Sequence, residues 1–515
     1  MKLERTKNMA RNVAYGYLSK IILMFFPFLT RSIFIRVLGA EYLGLNGLFS
    51  SILTVLNMTE LGFASAIVVH MYRAIAADDH TGINALLSYY RKIYHGVGLV
   101  ILAVGCALIP FLPKLIHGSW PSDISLTAVY LVYLFDTCAS YFLFAYYASL
   151  ASAFQRDDLM TRVDLFTKVL MYLGQIVLLL TVRNYYVYLA ILPLCTIGRN
   201  LCTYLCVRKT FPRYSPQGAI SPQTRADILQ KVKGAVIGRV SWVCRNSFDS
   251  VFISMFLGLT ATAIYGNYYY IMNTLTALMQ IFIKSVNAGA GNSIELETQA
   301  KNHRDMNCMN FLYMWLAGWC SICMLCLYQP FMTLWVGRDM LLPVSTMVLF
   351  CVYFYLLKMG DVLEIYATAK GLFWERRHIA IAEGIGNITL NYFLGKHFGI
   401  AGILWATILT VAGIGQLFGS RVVFRHYFTD YSVNRYLLRH LKYALITTAV
   451  GAVTYAVCSR VSLTGIPELL AIGTICAVLP NCLYLIILCR TGAFRDTRAW
   501  TLEKLKNLRK GGIKS

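Results

Sequence analysis

The sequence predicts an all-α polytopic membrane protein with about fourteen transmembrane helices. Three observations carry this. First, 57% of the 515 residues are hydrophobic and only 14% charged, with mean hydropathy +0.57, whereas a soluble protein carries about 25% charged residues. Second, apolar runs of about 20 residues, enough to cross the hydrocarbon, recur along the whole chain. Third, a backbone inside a bilayer must satisfy its own hydrogen bonds, so such runs fold as helices.

Taken in order, the spans fall near 13–38, 46–72, 93–116, 125–151, 160–182, 186–207, 234–257, 262–288, 308–330, 342–369, 378–395, 400–423, 441–459 and 467–489. Orientation follows from Lys and Arg, which gather on the cytoplasmic side of membrane proteins. With the N-terminus inside, 33 of the 47 basic residues lie in inner segments. Only Arg36, Lys114, Arg183, Arg338, Lys396 and Arg460 lie in outer turns. Both termini are therefore expected in the cytoplasm. The net charge of +23 is then an orientation signal and a cushion for anionic lipid headgroups, and nucleic acid is not expected as a partner.

The longest internal polar stretch, Arg208 to Lys233, is rich in Pro, Ser and Gly and reads as a linker dividing spans 1–6 from spans 7–14. Within it, Asp227 to Lys233 suits either a short surface helix or the first turn of span 7. The two halves resemble each other. Arg31-Ser-Ile-Phe-Ile matches Asp249-Ser-Val-Phe-Ile, Gly39 matches Gly258 after one inserted residue, and Gly47 matches Gly266. Both matches fall where a first span turns outward into a second, which makes the repeat parallel. Gly289 and Gly291 read as the end of span 8.

Charged side chains at bilayer depth are costly when they face lipid, so they normally face protein or water. The basic groups at such depths are Lys20, Arg31, Lys168, Arg199, Arg239, Arg245, Lys284 and Lys358. The acidic ones are Glu60, Asp136, Asp164, Asp249, Asp361 and Glu364. Arg245 with Asp249, Asp164 with Lys168, and Lys358 with Asp361 are spaced to pair on one helix face. Asp164, Lys168 and Lys284 also sit near cytoplasmic ends, where they can snorkel. Lys20, Arg31, Arg199 and Arg239 have no acid at helical spacing. Lys20 and Arg31 share a face of span 1, about 16 Å apart along its axis. Such a ladder suits an anionic ligand that moves along it, or pairing across helices with Glu60, Asp136 or Glu364. Glu60 and Asp136 are either counter-charges or carriers of a coupling ion, H+ or Na+.

Chemistry is sparse elsewhere. The sequence has no GxxxxGK[ST] phosphate loop, GxSxG or HExxH motif. Asp78-Asp79 and Asp157-Asp158 fall in loops and read as solvated acids. Cys320, Cys323 and Cys326 have CxxC spacing, but they read as small buried apolar residues and not as a metal site. Tyr265, Tyr268, Tyr269 and Tyr270 suit packing more than sugar stacking.

Three stretches carry a family resemblance. They are TRSIFIRVLGAEYLGLNGLFSSIL, the Glu60-Leu61-Gly62 step, and AIAADDHTGINALLSYYRKIYHGVG. The chain resembles the polysaccharide flippases of the multidrug/oligosaccharidyl-lipid/polysaccharide exporter superfamily, with the Wzx-type O-antigen and capsule repeat-unit flippases the nearest group. The resemblance implies two pseudo-symmetric six-helix lobes plus two C-terminal helices. In this chain these would be an N-lobe at 1–210, a cytoplasmic linker at 211–233, a C-lobe at 234–425, two further spans at 426–490 and a basic cytoplasmic tail at 491–515. It implies a non-enzymatic transporter in a bacterial plasma membrane, without cofactor. Such a protein moves undecaprenyl-pyrophosphate-linked oligosaccharides by alternating access, in company with a polysaccharide polymerase and glycosyltransferases. Its cavity cations would include Lys20, Arg31, Arg239 and Arg245, with Arg199 and Lys358 as further candidates. Glu60, Asp136, Asp249, Asp361 and Glu364 would serve coupling or counter-charge. A cation-coupled drug or metabolite exporter and a membrane glycosyltransferase or polymerase are the alternatives; the short outer loops disfavour the latter.

Overall fold

The computed structural model describes residues 22–57 and 63–511, and every regular element among them is helical. Contacts group the chain into two compact units, one up to Ala263 and one from Ile264 onward.

In the first unit, α1 (residues 22–37) gives way at Gly39 to α2 (Ala40–Leu56), followed by α3 (Phe63–Ala76). Gly39 has φ 104° and ψ 171°, a conformation open in practice to glycine alone. Gly258, its counterpart in the internal match, has φ 86° and ψ −175°. It stands in the same place, between α9 (Pro222–Leu257) and α10 (Leu259–Leu296). The two halves thus share a backbone turn as well as residues. The helices that follow the two turns also pack closely: a Cβ on Gly44 of α2 would lie 2.0 Å from the Leu259 carbonyl oxygen at the start of α10.

α4 (His80–Leu108) begins where the Asp79 side chain accepts from the Gly82 N–H at 2.8 Å, and it tightens into a 3₁₀ turn over Ile109–Leu115. α5 (Leu126–Phe142) and α6 (Tyr147–Ala153) form an apolar pair bent by 53°, a broken span or a re-entrant loop. Phe144 sits in the break at φ 52°, with its ring stacked on Tyr204. α7 (Asp157–Thr181) exposes Phe166, Leu170, Leu173, Val177 and Leu180, a stripe at helical spacing. It buries Thr167 and Gln175 and, against the expectation of a solvated loop acid, Asp158, which lies in its first turn paired with Arg156 at 2.9 Å. This is the inversion expected of a helix whose outer face meets lipid. α8 (Tyr185–Thr210) packs against it.

α9 starts at Ser221, which caps Thr224 at 3.1 Å, with Pro222 at the first helical position. Asp227 to Lys233 are therefore the first turns of span 7 and not a separate surface helix. α10 continues through Gly289 and Gly291 to Leu296, which corrects the expected helix end there. A glycine costs about 1 kcal/mol inside a helix but does not by itself terminate one.

The second unit contains α11 (Gln299–Trp335), α12 (Val344–Ala369), α13 (Arg377–Leu409), a π-turn at Thr410–Gln416, α14 (Leu417–His426), α15 (Val433–Cys458), α16 (Ile466–Leu488) and α17 (Gly492–Gly511). α11 and α12 are the most enclosed spans. α13 breaks at Gly399, with φ 59° and ψ −137°. Asn387 bonds Thr407 at 3.2 Å, yet twenty residues of straight helix would separate them by about 30 Å. The chain must therefore fold back at Gly399, giving two spans. α17 docks on α11: the Trp500 indole N–H donates to Asp305 at 2.8 Å, and Lys504 lies 3.6 Å from the same carboxylate.

Among the described residues, eight helices cross a membrane on length and composition alone, or nine counting the bent α5–α6 pair. Splitting α13 at Gly399 and adding α1, α2 with α3, α9 and α10 brings the total to about fourteen.

Candidate functional site

Arg31 lies half-buried on α1, close enough to Tyr188 of α8 to act on it electrostatically. One turn along, the buried Phe34 ring meets Tyr188 edge-on at 4.9 Å. Beside them, the Tyr133 and Tyr185 hydroxyls both donate to the Asn46 side-chain oxygen at 2.5 Å. The Tyr42 ring stands 4.9 Å from that of Tyr185. The first unit thus gathers four tyrosines from α2, α5 and α8 next to the helix that carries Arg31. Spacing arguments had not singled out these tyrosines. Tyr185 and Tyr188 are three apart on α8, but only packing brings Tyr42 and Tyr133 to them.

Asp136 of α5 faces Thr196 of α8, and one of its carboxylate oxygens is buried without a hydrogen-bond partner among the described residues. Arg199 of α8 bonds Asp164 of α7 at 2.5 Å. The same-helix partner expected for Asp164, Lys168, is instead exposed. Arg245 and Asp249 lie one turn apart on α9, with Asp249 fully buried.

In the second unit, Lys358 is 1% exposed and lies 2.6 Å from Asp361 on the same helix. The Tyr313 hydroxyl of α11 donates to the same carboxylate oxygen at 2.8 Å. Glu364 differs from its expected interior setting. It is exposed and bridges Arg376, just beyond the end of α12. Tyr265 and Tyr268 are buried against Phe350. The Tyr268 hydroxyl donates to Gln329 and accepts from the Leu342 N–H, which is a packing role. Lys20 and Glu60 lie outside the described residues, as do the side chains of Arg239 and Lys284.

The helical order and the buried charges define a multi-pass membrane protein with the fold of the MOP-superfamily transporters. The structure is similar to that of the lipid II flippase MurJ in an inward closed conformation, with TM-score 0.64 and 15% identity over 92% of this chain and 98% of that one. It is also similar to an inward-facing multidrug-resistance MATE transporter of the MOP superfamily, with TM-score 0.62 and 13% identity over 79% and 98%. A Vibrio cholerae MATE transporter gives TM-score 0.58 and 14% identity over 83% and 98%. At these identities the likeness is one of fold. The chain itself belongs to the polysaccharide biosynthesis protein family, which matches residues 9–288, more than half of its length. A search of curated proteins finds no match.

Proposed function

We propose that this protein carries undecaprenyl-pyrophosphate-linked oligosaccharide repeat units from the inner to the outer leaflet of a bacterial plasma membrane by alternating access, with both termini in the cytoplasm. The observation that carries this reading is membership of the polysaccharide biosynthesis family in a chain whose fold is that of transporters. The site chemistry supports it. Lys20, Arg31, Arg239 and Arg245 meet the pyrophosphate through charge-assisted hydrogen bonds, which are roughly twice as strong as neutral ones. Tyrosines next to the helix that carries Arg31 offer hydroxyls and ring faces to the adjoining sugar. The polyprenyl tail stays in lipid throughout.

No covalent step is needed, so direction comes from a coupling ion or from removal of the product by the polymerase. Asp136 is the favoured ion carrier in the first unit, because one of its carboxylate oxygens has no hydrogen-bond partner there. Asp361 is already engaged by Lys358 and Tyr313. Lys358 and Arg199 act as structural counter-charges in this scheme.

The reading is tested with Arg31→Ala and Arg245→Ala in cells that depend on this protein for a surface glycan. Loss of surface polysaccharide, with accumulation of the lipid-linked unit on the inner leaflet and normal protein levels, is expected. Normal glycan in both variants overturns the assigned role. In the protein's native cells, a full deletion that leaves the surface glycan normal and changes the drug-resistance profile would favour the exporter alternative.

A further inference from the structure

Three helices of the second unit bring a cysteine to one point. α11 contributes Cys326, α15 ends on Cys458, and α16 contributes Cys476. All three are buried, and their sulfur atoms lie within 4.8 Å of one another. Cys323, one turn before Cys326, faces Cys476 from the same helix, although its sulfur lies outside the mutually adjacent set. The backbone holding Cys476 is pinned, because the Trp319 indole N–H donates to its carbonyl oxygen at 2.8 Å.

Cysteine often serves as a small buried apolar residue. That use does not require three helices to converge their sulfurs. A disulfide would consume two sulfurs and leave the third and fourth without a role. Three mutually adjacent thiols with a fourth in reach make a soft donor set, and thiolate sulfur selects Cu(I) and Zn(II) over hard cations.

We propose that Cys326, Cys458 and Cys476, with Cys323 as a fourth donor, hold a single thiophilic d10 metal ion that clamps the α15–α16 pair onto α11. Binding replaces S–H bonds with S–metal bonds. The displaced thiol protons leave to solvent, and no electron is transferred. The ion offsets part of the charge of thiolates that an apolar interior would otherwise disfavour; the site is neutral when one sulfur is a thiolate on Cu(I), or two are on Zn(II), and the remaining sulfurs bind as thiols. Three-coordinate binding by the mutually adjacent sulfurs suits Cu(I), and recruitment of Cys323 suits tetrahedral Zn(II).

The full chain, purified in detergent with reductant and freed of metal by a chelator, is titrated separately with Cu(I) under anaerobic conditions and with Zn(II). Bound metal per protein is then measured. One equivalent of one of these ions is expected to be retained. Retention should weaken at least about tenfold in Cys458→Ala and Cys476→Ala and stay unchanged in Cys482→Ser, whose cysteine is exposed on the same helix. Alkylation of the unmodified chain provides a second readout that needs no variant. The metal is expected to protect Cys326, Cys458 and Cys476 and to leave Cys482 reactive. Failure to retain either ion, retention by the two alanine variants equal to that of the unmodified chain, or absence of protection overturns the proposal. So does a Cys458–Cys476 disulfide that persists in protein purified without reductant and excludes metal.

Discussion

Lys358 and Asp361 form an ion pair at 2.6 Å with the lysine fully enclosed, and Tyr313 of the neighbouring helix completes the carboxylate's bonding at 2.8 Å. Removing one member of a buried pair leaves the other charge uncompensated, at a cost of about 3–5 kcal/mol, whereas replacing both with apolar groups is often neutral. Lys358→Met and Asp361→Asn should each lower the thermal midpoint in detergent. The double variant Lys358→Met/Asp361→Leu should recover most of the loss. Tyr313→Phe should cost about 1 kcal/mol. Stability of the double variant no better than that of Lys358→Met would show that the two side chains do not act as a pair.

Gly44 and Gly47 sit one turn apart on α2 and should respond in opposite directions to alanine. A Cβ on Gly44 meets the Leu259 backbone at 2.0 Å, while one on Gly47 meets the Thr262 methyl at an ordinary 3.5 Å. Backbone has little room to give, and overpacking costs about 1–3 kcal/mol or more. Gly47→Ala should instead gain part of the roughly 0.5–1 kcal/mol that glycine forfeits inside a helix. Folded yield and thermal midpoint of the two variants, compared side by side, check this directly.

Much of this architecture could be read before any coordinates. Apolar runs located nearly every span, because a bilayer forces helices of a narrow length range. The glycine match between Gly39 and Gly258 pointed to a shared turn, because a positive φ leaves an imprint on residue choice. Contacts between helices were not legible. Spacing rules see only neighbours on one helix, so they offered Lys168 to Asp164 and missed Arg199, thirty-five positions away. They also reduced Cys326 to a member of a CxxC run and could not see Cys458 and Cys476. The tyrosine cluster around Asn46 stayed hidden for the same reason.

Asn387 ties the two arms of α13 together where the chain doubles back at Gly399. Its amide donates to Thr407 and Thr410, and its carbonyl oxygen accepts from Asn391, all buried. Asn387→Leu would remove these bonds between the two arms, each worth about 0.5–1.5 kcal/mol, while the Thr407 and Thr410 hydroxyls keep their bonds to the Ile403 and Ala406 carbonyls. The expected result is faster amide exchange in residues 387–410 with α15 and α16 little changed. Uniform loosening of the whole second unit would show that the hairpin is not an independent element.

Asp79 supplies a pH dependence that follows from a cap outside the spans. The Gly82 backbone N–H and the Thr81 hydroxyl hold its carboxyl below the usual value of 3.8. A carboxylate with a lowered folded-state pKa contributes stability above its unfolded value and loses it as pH falls through the folded one. The first turn of α4 should therefore be insensitive to pH between neutrality and about pH 4, the ordinary range of an aspartate, and should fray only below that. Asp79→Asn keeps an oxygen acceptor without the titration, so its α4 start should show no such acid transition. Asp79→Ala should fray at every pH. Amide exchange across residues 81–83 distinguishes the three. An acid transition that persists in Asp79→Asn would assign it to another group.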